Sequence, residues 1–178
     1  MFVVSDGALY QSRGSDAGRM SRFELAAEQL PGGVWHLVSD GEDLLVGNRR
    51  GVYVRSETGE LTEVAAVENI VNLAMTGEGH CFAIGENETA VLGKRDGAWA
   101  EVAPRSEGAR YAPIAHVTER SVWLEMGGEG VTRLWLEGGR GRRMRLGNES
   151  WTRAWWVNIG VLDDLVILNG ARGERKVF

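Results

Sequence analysis

The sequence predicts an all-β fold, a β-propeller of about five blade-like sheets of antiparallel strands with the first and last sheets incomplete. Three observations carry that prediction. The 178 residues include 25 glycines against three prolines, together with seven tryptophans. This is a turn-rich, aromatic-cored composition in which positive-φ positions are needed repeatedly. A short apolar pattern returns about every forty residues. Each return is followed by further apolar runs set off by turn residues, and four short strands in such a repeat is the period of a propeller blade.

The first strand of each blade carries an apolar, any, His-or-Asn, aliphatic pattern: Val34-Trp35-His36-Leu37, Ile70-Val71-Asn72-Leu73, Ile114-Ala115-His116-Val117 and Trp156-Val157-Asn158-Ile159. Their polar residues are spaced 36, 44 and 42 positions apart. Second runs follow at Leu44-Leu45-Val46, Cys81 to Ile84, Val122-Trp123-Leu124 and Leu165 to Leu168. Glycine-containing turns lead to third runs at Val52-Tyr53-Val54, Ala90-Val91-Leu92, Leu134-Trp135-Leu136 and Lys176-Val177-Phe178, so the runs read as antiparallel hairpins. Glu24-Leu25-Ala26, Glu63-Val64-Ala65 and Glu101-Val102-Ala103 mark the fourth strand, with Arg145-Leu146 a weaker copy. Phe2 to Tyr10 matches the second and third runs, turning at Asp6-Gly7. The expected organisation is one domain over residues 1–178, with blades at 1–32, 33–69, 70–112, 113–154 and 155–178. It holds eighteen strands, lacking an innermost strand at the front and an outermost one at the back.

Two stretches argue locally for helix. Residues 22–30 and 61–73 are rich in Ala, Glu and Leu, which are helix formers. Both contain the repeated Glu-aliphatic-Ala element, and its third copy runs into Pro104, which suits a strand better. The repeat therefore overrides the propensity.

Composition bounds the function. A net charge of −5 argues against a nucleic-acid partner. With 43% hydrophobic and 25% charged residues the chain can bury a core. The single Cys81 excludes an intrachain disulfide framework, and its place beside Phe82 reads as a buried, inert thiol. His36, His80 and His116 form no local ligand pair, so neither metal nor cofactor is expected. Met1 to Gly7 lacks the basic start and apolar core of a signal peptide, and no apolar run approaches the eighteen or so residues that span a bilayer. The chain reads as soluble, without membrane insertion.

Residues 34–55 resemble the two-component-regulator propeller repeat. The features carrying the likeness are the Ser39-Asp40-Gly41 turn, the apolar run ending in Gly47-Asn48, and Gly51-Val52-Tyr53. The chain departs from that pattern at Leu45, where those repeats have Trp, and at Gly85-Glu86, Gly127-Gly128 and Asn169-Gly170. The resemblance implies a propeller serving as the ligand-sensing part of a signalling protein, periplasmic if this chain is a piece of a hybrid sensor. Ser5-Asp6-Gly7 and Ser39-Asp40-Gly41 also share turn chemistry with the aspartate box of sialidase-like propellers, without its full spacing.

Three groups of residues are candidate sites. His36, Asn72, His116 and Asn158 recur on first strands, where they would either form a polar ring facing a central channel or bridge backbone within their own blades. Trp151 and Trp155, with Trp156, cluster around the loop Gly147-Asn148-Glu149-Ser150, suited to stacking on a sugar or a peptide side chain or else to core packing. Trp35, Trp123 and Trp135 read as packing between sheets. Arg140, Arg142, Arg143 and Arg145 form a basic stretch that would hold an anion or acidic partner, or protect an exposed outer strand from edge pairing. The acidic groups Asp40-Gly41-Glu42-Asp43 and Asp163-Asp164 fall in turns without calcium-loop spacing and read as solvated. No catalytic residue is expected.

The sequence thus reads as a non-catalytic propeller binding or interaction module, taking a protein or a small polar or carbohydrate ligand. Open blade edges would permit homo-oligomers. The alternatives are a carbohydrate-active propeller hydrolase or lyase, which needs carboxylates from different blades converging on one channel mouth, and a half-propeller completed by a partner chain.

Overall fold

The computed structural model describes residues 2–5, 8–13, 22–27, 36–56, 58–109, 114–125, 130–146, 157–162, 165–170 and 175–178. Among the described residues eighteen strands build five antiparallel sheets. β1 (Phe2–Ser5), β2 (Ala8–Arg13) and β3 (Arg22–Ala27) form the first sheet. β4 (His36–Ser39), β5 (Leu44–Gly47), β6 (Val52–Arg55) and β7 (Leu61–Ala65) form the second. The third contains β8 (Ile70–Met75), β9 (Cys81–Gly85), β10 (Glu88–Arg95) and β11 (Ala98–Glu107). The fourth contains β12 (Ile114–Val117), β13 (Ser121–Glu125), β14 (Val131–Glu137) and β15 (Arg140–Leu146). β16 (Val157–Leu162), β17 (Leu165–Gly170) and β18 (Arg175–Val177) complete the fifth. Each sheet is a meander in chain order. No helix is present among the described residues, and none is long and apolar enough to cross a membrane.

The described residues of both stretches with helical composition form strands, β3 in the first and β7 and the start of β8 in the second, joined by a short link, with no helix; residues 28–30 lie outside the described residues. The tertiary repeat wins because each strand has a hydrogen-bonding neighbour in its own sheet, whereas an isolated helix of this length is marginal. Pro104 lies inside β11 without breaking it. Thr89 pairs with Ser106 and Val91 with Ala103, so Pro104 and Arg105 together face one residue of β10. A bulge on the outermost strand is where a residue without a backbone N–H fits a sheet. The β10–β11 hairpin turns at Asp96 (φ 51°) and Gly97 (φ 80°), the paired positive-φ positions of a two-residue hairpin loop. The Asp6-Gly7 turn and Trp35 lie outside the described residues.

Consecutive sheets pack on each other in chain order from the second to the fifth. Inner strands β4, β8, β12 and β16 neighbour one another, as do outer strands β7, β11 and β15. The second strands β9 and β13 are buried on both faces and divide their side chains between two interfaces. On β9, Cys81 and Ala83 join Leu45, Val52, Ile70 and Leu73 between the second and third sheets. Phe82 and Ile84 join Val122, Leu124 and Leu134 between the third and fourth. On β13, Trp123 turns the other way, to Ile159, Val166 and Leu168 of the fifth sheet. Each such buried Val, Leu, Ile or Phe side chain contributes about 1.5–3 kcal/mol. Cys81 is completely buried, and that desolvation pushes its thiol up to about 12, so it is an inert core residue as the sequence suggests.

Polar contacts stitch the rims. Lys94 on β10 reaches back to the β4–β5 turn, with Nζ 2.8 Å from Asp40, 2.9 Å from Asp43 and 3.1 Å from Glu42. Beside it the Trp99 indole N–H donates to Asp43 at 3.0 Å. Burial pushes the Asp40 carboxyl up, but the Lys94 ammonium and the backbone N–H groups of Asp43 and Glu42 outweigh it and hold Asp40 below the usual carboxylate range. These carboxylates lie on an exposed turn, as the sequence suggests, and in addition form a clamp between the second and third sheets. At the outer rim Arg105 donates to the Ala66 carbonyl at 2.8 Å and pairs with Glu88 and Glu101 at 2.6 Å each.

Close approach of strand and turn makes Gly85 indispensable. A Cβ there would lie 2.6 Å from the Glu68 carbonyl oxygen and 3.0 Å from that of Glu88. Backbone cannot yield as a side-chain tip does. Gly85→Ala is therefore expected to cost about 1–3 kcal/mol, read as a lower midpoint in urea denaturation; an unchanged midpoint would contradict this packing.

Candidate functional site

A cavity of about 360 Å³ opens between the fourth and fifth sheets. Its floor is the β12–β13 turn from Thr118 to Ser121, with Trp123 of β13 and Arg133 of β14 on one wall and Val166 and Phe178 on the other. The sequence shapes the turn locally. The Thr118 N–H donates to the Ser121 carbonyl at 2.9 Å, and the Ser121 N–H donates to the Thr118 hydroxyl at 3.0 Å. The Ser121 hydroxyl in turn accepts the Trp123 indole N–H at 3.0 Å. That bond fixes the indole, which is only 1% exposed. Opposite it, Phe178 and Val166 exchange two backbone hydrogen bonds, at 2.9 and 3.1 Å, and the phenyl ring stands 5.5 Å from the indole at a tilt of 49°.

Arg133 is the charged element of this wall. Antiparallel register aligns His116, Trp123, Arg133 and Met144 in one row across the fourth sheet. The Arg133 guanidinium carbon lies 5.3 Å from the Trp123 ring and 5.0 Å from the Trp135 ring, an attraction between cation and aromatic faces. Its Nε is buried without a hydrogen-bond partner, and among the described residues no carboxylate pairs with it. At the rim Arg120 is engaged by Glu78 at 2.9 Å.

Three residues of the repeated polar series, His36, Asn72 and His116, fall at separate interfaces. His36 pairs with Gly47, whose α-carbon faces Ile70 and Leu73 of the third sheet. Asn72 pairs with Ile84, and the register there shifts so that Val71 is the extra residue of a bulge. Asn72 thereby falls on the side of the third sheet turned to the fourth. His116 pairs with Trp123 on the side turned to the fifth; its Nε2 has no hydrogen-bond partner and lies 3.9 Å from the Glu125 carboxylate. Asn158 pairs in register with Asn169. Trp151, Trp155, Trp156, their loop at 147–150, and Asp163 and Asp164 lie outside the described residues.

Strand alternation also divides the arginine stretch. Arg140 and Arg142 share one face of β15, Arg143 and Arg145 the other. Arg143 reaches the third sheet, donating to the Glu107 carbonyl at 3.1 Å and the Gly108 carbonyl at 3.3 Å, and pairing with the Glu107 carboxylate at 3.1 Å. It repeats the outer-rim contact that Arg105 makes one sheet earlier. Arg142 pairs with Glu137 at 3.1 Å. Arg133, the Thr118–Ser121 turn and Phe178 had not been singled out by sequence. The available signal was Trp123 and Trp135 flanking an arginine once the two strands are aligned. Among the described residues no group of three His, Cys, Asp or Glu side chains is arranged to hold a metal.

No family model matches the chain, and no curated protein matches it in sequence. Solved structures do resemble it in fold. The computationally designed Ika4 protein superposes with a TM-score of 0.59 at 15% identity, covering 85% of this chain and 93% of that one. The N-terminal domain of Nup159 gives 0.58 at 10% identity, covering 99% of this chain and 57% of that domain. Virginiamycin B lyase from Staphylococcus aureus gives 0.50 at 12% identity, covering 99% and 68%. The chain thus spans a little over half of the Nup159 domain. The fold is that of propeller-like proteins.

His36 supplies a pH test of the second-to-third interface. It is half-buried, and desolvation lowers its pKa below 6.5. The unfolded chain then binds the proton more readily, so stability is complete above the ordinary histidine range and falls as pH drops through it. His36→Gln is expected to lose less stability than the parent chain between pH 8 and pH 5.5 in denaturant titrations. Parallel losses in both proteins would contradict the burial.

Proposed function

We propose that the chain is a non-catalytic propeller binding module whose ligand occupies the cleft between the fourth and fifth sheets. The observation that carries this reading is the cavity wall itself: a guanidinium without a carboxylate partner among the described residues, set beside an indole and a phenyl ring. Ligand sites are concave, mostly apolar and furnished with a few polar groups, and a volume of about 300–1,000 Å³ is usual. The carboxylate groups that the sheets bring together support binding over hydrolysis. Asp40, Glu42 and Asp43 are held by Lys94, and Glu88 and Glu101 by Arg105. Asp40 is thereby kept ionised, the opposite of a raised-pKa general acid. The resemblance of residues 34–55 to two-component-regulator repeats extends the reading to a sensor part of a signalling protein.

A fragment screen by amide-resolved NMR tests the module. Small polar and aromatic fragments should shift the resonances of Ser121, Trp123, Val166 and Phe178 and be recovered chemically unchanged. Fragments shifting only residues elsewhere, or being cleaved during the experiment, would contradict it.

A further inference from the structure

Resting on that assignment of the cleft, we infer that its ligand is a small aromatic carboxylate, with the carboxylate on Arg133 and the ring against Phe178. Arg133 is the group from which the ligand class follows. Its aliphatic stem rises from β14, and its guanidinium lies within cation–π range of both Trp123 and Trp135. Those faces orient the cation but accept no hydrogen bond of the strength an oxygen provides. Among the described residues no carboxylate pairs with this guanidinium, which lines the cavity. A planar carboxylate matches the guanidinium fork with two parallel hydrogen bonds and supplies the missing negative charge.

The other charged side chains lining the cavity are turned elsewhere. Glu119 lies on the exposed turn with its carboxylate against Gly77 of the β8–β9 turn, and Arg120 is already engaged by Glu78. The neutral part of the ligand follows from the opposite wall. Val166 is buried, whereas Phe178 is 40% exposed. With its ring centroid 5.5 Å from that of Trp123 and tilted by 49°, Phe178 presents an aromatic surface to the cavity. A flat apolar ring covers that surface with offset or edge contacts. A bare inorganic anion would satisfy Arg133 and leave the phenyl ring uncovered; a neutral ring would do the reverse.

Benzoate, benzyl alcohol and acetate separate these contributions. Each is titrated into the full chain at low salt while the Trp123 indole and Ser121 amide resonances are followed. Benzoate is expected to bind at least tenfold more tightly than either of the others and to weaken as sodium chloride is raised. Arg133→Met, which keeps a long apolar stem between the two indoles, should bring benzoate down to the affinity of benzyl alcohol. Phe178→Ala, altering an exposed residue, should weaken benzoate several-fold and leave acetate unchanged, giving a second test if Arg133→Met fails to fold. Equal binding of benzoate and benzyl alcohol at these resonances would overturn the carboxylate assignment while leaving the cleft as a binding site. Failure of all three compounds to move them would remove the cleft as well.

Discussion

The constraint on which this structure depends is that a strand in the middle of a sheet is covered on both faces. β9 is buried at every residue, and β13 from Ser121 to Leu124. An antiparallel sheet that faces water on one side shows apolar and polar residues in alternation. Here the alternation is between two interiors. Odd and even residues of β9 enter different apolar layers, so the third sheet is stable only with the second on one side and the fourth on the other. Stacking in chain order follows from that side-chain arithmetic, and so does the need for glycine where strands and turns approach closely.

The same architecture explains why the candidate site lies where it does. In the second and fourth sheets the turn between the first and second strands lies against the following sheet. Between the second and third sheets that space is filled by Lys94 and Trp99 against the 40–43 turn. Between the fourth and fifth, the 118–121 turn meets Val166 and Phe178, and an open cavity is left. At one interface a cation has three carboxylates; at the other, Arg133 has two indoles. The geometry is shared, and the change in side chains turns a clamp into a cleft.

Much of the fold was legible in the sequence because both-face burial writes itself as continuous apolar runs. Leu44-Leu45-Val46, Cys81 to Ile84 and Val122-Trp123-Leu124 each became the second strand of a four-stranded sheet. The repeat also overruled helical composition at Arg22–Ala27 and Leu61–Ala65 correctly. The site was less legible, because it depends on which residues stand opposite one another. Register places Arg133 beside Trp123, ten positions away in the chain, and strand alternation separates Arg142 from Arg143 although they are adjacent. The clamp at the acidic turn 40–43 is not legible in the sequence because its cation comes from another sheet. Single-sequence patterns carry periodicity, but not the partner that a neighbouring sheet contributes.

The most direct measurement of the central claim is a nuclear Overhauser experiment on the side chains of β9 and β13. The structure predicts cross-peaks from Ala83 to Leu45 and Leu73, from Phe82 and Ile84 to Val122, Leu124 and Leu134, and from the Trp123 indole to Ile159 and Leu168, each set confined to its own interface. Cross-peaks linking the Phe82 ring to Leu45 or Val52, or the Trp123 indole to Phe82 or Ile84, would show that the sheets do not stack in chain order.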